Sequence, residues 1–116
     1  MTAASEASQT KSTGKAFKAD FSKDGKSLLC SLAGRLDTIT APELLTGFND
    51  YRGEDITEIT VDMSDTEYIS SAGLRVLLSM CKSLPSKDSF HVVNYSKTIK
   101  DILEVTGFDQ LFGIEE

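Results

Sequence analysis

Three times in succession after residue 26, a strand-like run gives way to a helix-like one, and this alternation limits the fold more than any other feature of the chain. Ser27–Leu36 reads as a strand, followed by a stretch in which Ala41, Leu44, Leu45 and Phe48 share one helical face and Gly53 ends the element. Ile56–Met63 is β-branched and alternating, with Ile59 and Val61 on one side. A helix from about Ser71 to Leu84 follows, with Leu74, Leu77, Leu78 and Cys81 as its inward stripe and Pro85 as its stop. Phe90–Tyr95 is the next strand. It leads to a helix capped by Ser96, striped by Ile99, Ile102, Leu103 and Thr106 and closed by Gly107. One more strand, Ala16–Phe21, precedes the series and is joined to it through an Asp24-Gly25 hairpin turn. Strand–helix–strand units demand parallel neighbours with right-handed connections. The order ββαβαβα therefore predicts an α/β fold on a mixed β-sheet of about four strands. Phe108–Ile114 carries enough apolar surface to pack back onto it.

The 116 residues suit one domain, and 40% hydrophobic with 26% charged residues suits a globular one. Residues 1–15, rich in Ser, Thr and Ala, read as a disordered leader, and 16–116 as the domain. That leader lacks the apolar core of a secretory signal, and no apolar run approaches the roughly 20 residues of a membrane span. The expected location is cytoplasmic, with no membrane partner. A net charge of -6 without a basic cluster also excludes nucleic acid as a partner. Cys30 and Cys81 sit in apolar runs without CxxC spacing, and are read as reduced core residues rather than a disulfide or a metal site.

Two helix starts carry polar signals. Thr40-Ala41-Pro42-Glu43 has the form of a capping box, with Pro in the first turn where its missing N–H costs nothing. Val61–Arg75 runs from a strand end into a helix, the sheet edge where ligands and reactive groups collect in open α/β folds. There Ser70 and Ser71 precede Ala72-Gly73. A hydroxyl at a helix N-terminus can cap it, or can carry a phosphate beside unpaired amides and the positive end of the helix dipole. Two serines exceed what one cap needs, and Gly73 is read as keeping the backbone open to another protein. Ser71, Arg75 and Ser79, four residues apart, fall opposite the apolar stripe.

Three collinear segments resemble STAS domains of the anti-sigma factor antagonist group. They are Gly34-Arg35-Leu36-Asp37 with Thr40-Ala41-Pro42-Glu43-Leu44, then Tyr68-Ile69-Ser70-Ser71-Ala72-Gly73-Leu74-Arg75, and finally Ile102–Phe112. Together they extend the resemblance from Phe17 to Ile114. The resemblance implies the STAS fold and a regulatory binding protein, not an enzyme, with no cofactor. In that group the unphosphorylated form engages an anti-sigma factor that is also a serine kinase and frees the sigma factor. Phosphorylation then weakens the complex, and a metal-dependent serine phosphatase resets it. The family's acceptor lies two residues before the turn glycine, which falls on Ser71, with Ser70 as second candidate where the family often has Asp. Helical spacing from Ser71 and the shared sheet edge place the partner-binding set at Asp37, Thr38, Ser70, Ser71, Gly73, Arg75 and Ser79, with the alternative that Asp37 only orients the loop before the first helix; the free chain is expected to be a monomer. The alternative is a STAS module of another signalling or transport assembly.

Other constellations fall short. His91 is the one histidine and lies mid-strand, so no Ser/His/Asp triad is expected and no catalytic residue is assigned. Asp62 and Asp65 raise a receiver-like phospho-Asp domain using Asp62, but Asp62-Met63-Ser64-Asp65 lacks DxDxT spacing, and where a receiver wants an acidic cluster after a strand, Gly34-Arg35-Leu36-Asp37 supplies a single Asp. No metal ligand set, GxGxxG or P-loop occurs.

Overall fold

A computed structural model describes residues 16–53 and 55–114. The reading of 1–15 as a leader lies outside the described residues. In order come β1 (Lys18–Asp24), β2 (Ser27–Leu36), α1 (Ala41–Tyr51), β3 (Glu58–Ile69), α2 (Ser71–Lys82), β4 (Phe90–Val93), α3 (Lys97–Thr106) and β5 (Gly113–Ile114), with 3-10 turns at Lys87–Ser89 and Phe108–Gln110. The strands lie in chain order β1-β2-β3-β4-β5. β1 is antiparallel to β2 and the remaining pairs are parallel. This is the expected ββαβαβα arrangement, to which β5 adds a short edge strand from the closing apolar segment.

The hairpin turns on Gly25, whose φ of 64° is open to glycine at no steric cost. Beyond it, every crossover advances one strand in the same direction, and right-handed connections then put all the helices on one face of the sheet. Burial divides accordingly. Leu28, Cys30, Leu32, Leu36, Ile59, Val61, Met63, Phe90 and Val92 are buried beneath the helices, while Ser27, Leu29, Ser31, Thr60, Asp62 and His91 on the opposite face are not. The helices supply Leu44 and Phe48, then Leu74, Leu77 and Met80, then Ile99 and Leu103 to one continuous core. Each such fully buried side chain contributes about 1.5–3 kcal/mol relative to exposure. Thr106 departs from its expected stripe position: it is exposed, and its hydroxyl donates back to the Ile102 carbonyl at 2.7 Å.

The strand β3 is longer than its local pattern indicates, because two bulges lie within it. Ser31 pairs with Asp62 but Ala33 with Asp65, and Gly34 pairs with Thr66 but Arg35 with Tyr68. Each step inserts one extra residue into β3 and restores its inward face, so the buried positions run Ile59, Val61, Met63, Thr66, Ile69. The buried Thr66 hydroxyl is satisfied by the Leu32 carbonyl at 3.0 Å. β4 pairs only with Ile59–Asp62, leaving the second half of β3 beyond its reach, and α3 packs along that stretch.

Candidate functional site

The ends of β2 and β3, the start of α2 and one side of α3 meet at the C-terminal edge of the sheet. The Ser70 amide donates to the Leu36 carbonyl at 2.8 Å, which ties the start of α2 to the end of β2 and sets the Asp37–Thr40 loop beside it. Gly73 is buried against Leu36, where a Cβ would meet the Leu36 carbonyl oxygen at 2.9 Å. Gly73 therefore serves close helix–strand packing at a buried position, rather than leaving open backbone beside the hydroxyl as expected.

The two serines have separate positions. Ser70 is the N-cap of α2, in extended conformation, and its hydroxyl accepts from the Gly73 amide at 3.3 Å. Ser71 is the first helical residue, exposed, and its hydroxyl has no hydrogen-bond partner among the described residues. Arg75 and Ser79 are exposed on successive turns of the same helix face.

The expected capping box at α1 does not form. Thr40 makes no side-chain cap. Its hydroxyl turns back instead, donating to the Arg35 carbonyl at 2.8 Å and accepting from the Asp37 amide at 2.8 Å. The Asp37 carboxylate accepts from the Ile39 and Thr40 amides at 3.0 and 3.1 Å. The Thr40 amide above all holds this carboxyl below its ordinary value; desolvation, the next largest influence, opposes it, and the Ile39 amide, the Thr40 hydroxyl and the Arg35 charge add to the lowering. Asp37 therefore builds the loop, leaving Thr38 and Ile39 outermost, Ile39 with 77% of its surface exposed. The Arg35 guanidinium lies 4.4 Å from the centre of the Tyr68 ring, a cation–π pair across β2 and β3.

Between α2 and α3 runs a cleft of about 340 Å³. Ile69 and Leu74 form its floor, Tyr68 and Ser71 one wall, and Ile102 and Val105 the other, with Asp101 and Thr106 at its rim. Residue-by-residue reading of the sequence missed this cleft. The one local signal was Val105, an apolar side chain off the helical stripe that is 86% exposed.

The other titratable groups lie apart from this edge. Asp62 sits within β3 on the open face, accepting from the Ser64 amide at 2.9 Å, and not at the strand's end where a receiver-like acid would stand. His91 belongs to the opposite end of the sheet, 3.2 Å from Glu58, which also accepts from Ser27 at 2.8 Å. Cys30 and Cys81 are buried free thiols, and burial aided by Asp20 pushes Cys30 up to about 12. No helix among the described residues is long and apolar enough to cross a membrane.

Known proteins resemble this chain in sequence or in fold. An anti-sigma-B factor antagonist of Staphylococcus aureus is 28% identical over 86 residues, which is 73% of this chain and 80% of its own length. An anti-sigma factor antagonist of Mycobacterium paratuberculosis superimposes with a TM-score of 0.75 at 22% identity, over 85% of both chains. The Bacillus cell fate determinant SpoIIAA in its phosphorylated form does so at 0.58 and 16% identity, covering 87% of this chain and 92% of its own. The STAS domain family model matches residues 18–116, so the described fold from β1 onward, with Ser71 at its edge, belongs to the STAS domain family.

Proposed function

We propose that the chain is an anti-sigma factor antagonist whose unphosphorylated form binds an anti-sigma factor that is also a serine kinase, and whose affinity falls when that kinase phosphorylates Ser71. A metal-dependent serine phosphatase resets it. The observation that carries this reading is the division of work at α2. Ser70 caps the helix, and Ser71 holds an exposed hydroxyl at the sheet edge. The relative named an anti-sigma-B factor antagonist and the phosphorylated state of SpoIIAA support it.

Phosphorylation adds about -1.5 to -2 charge. At an exposed first-turn position this leaves the core untouched, and the positive end of the helix dipole accommodates it. Buried in an interface, the same charge opposes association through desolvation and repulsion from acidic groups. The switch acts on the complex rather than on the fold. Asp37, Thr38, Arg75 and Ser79 complete the proposed contact surface around Ser71, the first two through the loop that Asp37 shapes.

The test is incubation with the cognate anti-sigma kinase and ATP, followed by mapping of the phosphate by mass spectrometry. Label is expected on Ser71. Ser71→Ala binds the kinase and stays unmodified, whereas Ser71→Asp binds at least about tenfold more weakly. Label on Asp62 or Asp65, or none with Ser71 intact, would sink the proposal. Label on Ser70 would move the switch by one residue.

A further inference from the structure

We propose that the cleft between α2 and α3 receives an apolar side chain of the anti-sigma factor, presented beside a lysine or arginine that pairs with Asp101. This rests on the reading of Ser71 above and names the chemistry of the partner at that site.

The cleft, at about 340 Å³, is of the size that takes a side chain rather than a whole domain. Its floor is apolar, formed by Leu74 and Ile69, which are otherwise buried in the core. Val105 stands almost wholly exposed on the α3 wall although it contributes nothing to the core. An apolar floor continued by an exposed apolar wall is the form of an anchor pocket in a protein interface.

Charge selects the occupant. Asp101 is the one ionisable acid or base other than Tyr68 on the lining, and it belongs to a chain of net charge -6. Its contact with Lys97, at 3.2 Å between two exposed side chains, is a surface pair that a partner's cation can replace at little cost. Lys100 and Glu104, 4.0 Å apart one turn on, pair with each other. The complementary ligand is therefore apolar at its tip and basic at its flank.

Ser71 is part of the same wall. As a hydroxyl it adds no charge to the wall opposite Val105. As a phosphoserine it sets a dianion on the cleft that Asp101 already borders, replacing the uncharged wall on which an apolar anchor depends with one that must be desolvated.

The test is calorimetric titration of the full, unmodified chain with the cognate anti-sigma factor, comparing wild type, Val105→Lys, Asp101→Asn and Ser22→Lys. Val105 and Asp101 are exposed, so both variants fold, and circular dichroism checks it. Val105→Lys is expected to weaken binding at least about tenfold. Asp101→Asn is expected to weaken it about threefold or more and to flatten its salt dependence. Ser22→Lys, on the sheet's far face, leaves affinity unchanged. If wild type binds and both cleft variants bind equally well, the cleft is not the docking site and the reading of Ser71 survives. If wild type does not bind at all, both fall. Should Val105→Lys instead abolish self-association of the isolated chain in sedimentation, the occupant is a second copy and the proposal is overturned.

Discussion

A methyl group on Gly73 would lie 2.7 Å from Leu36 Cγ and 2.9 Å from the Leu36 carbonyl oxygen. Helix α2 thus meets the end of β2 at an approach that only glycine permits. Gly73→Ala gains about 1 kcal/mol of helix propensity but overpacks the contact, so a net loss of about 1–2 kcal/mol in urea unfolding is expected. Adding Leu36→Ala will not restore stability, because the carbonyl stays in place. A Gly73→Ala protein as stable as wild type would show that the helix can shift.

The serines separate under the same measurement. Ser70→Ala removes the cap and should cost about 1 kcal/mol. Ser71→Ala removes an exposed hydroxyl and should stay within about 0.5 kcal/mol of wild type. Equal losses would mean that the cap is shared, and the freedom of Ser71 for modification would lose its basis.

Asp37 predicts a pH dependence of definite sign. Its carboxyl, held first by the Thr40 amide, titrates below its ordinary 3.8 in the folded chain. A lowered folded value means that its stabilisation is complete above the ordinary value and is lost as pH falls through the folded one. Asp37→Asn keeps an acceptor oxygen and removes the charge. The wild-type advantage over it should hold from neutral pH to about 4 and shrink below that. An advantage that grew on acidification would contradict the assignment.

The thiols are expected to be silent. Cys30, pushed up to about 12, and the buried Cys81 should resist maleimide or a disulfide reagent at pH 8 in the native chain. Both should react promptly in denaturant. Rapid labelling of either under native conditions would reveal local opening of β2 or α2.

What the sequence disclosed was local in origin. The apolar positions of the three helical stripes, the Ser96 cap at 3.2 Å from the Ile99 amide and the left-handed Gly107 follow from neighbours within one turn and stand as expected, Thr106 alone leaving its stripe. The bulges in β3 do not, because they are defined by pairing with β2, a strand distant in sequence. Thr40 looked like a cap because Glu43 stands three residues on, yet the Arg35 carbonyl and the Asp37 amide compete for its hydroxyl. At the site, two adjacent serines were visible as a pair but not as separate roles, since only the backbone shows which one leads the helix. The cleft was hidden because it depends on β4 stopping short of the end of β3.

The linear strand order has a consequence for how the surface comes into being. β1 and β2 are joined by a turn centred on Gly25 and can pair within about 1–10 μs. Parallel pairing must wait for a long loop to close, since Ser27 and the Glu58 it contacts are separated by 31 positions. The edge that carries Ser71 draws on β2, β3, α2 and α3, so a chain still emerging from the ribosome displays no partial version of it. Pulse-labelling hydrogen exchange should protect the β1–β2 amides before that of Ser70, and the edge is complete only when α3 has docked.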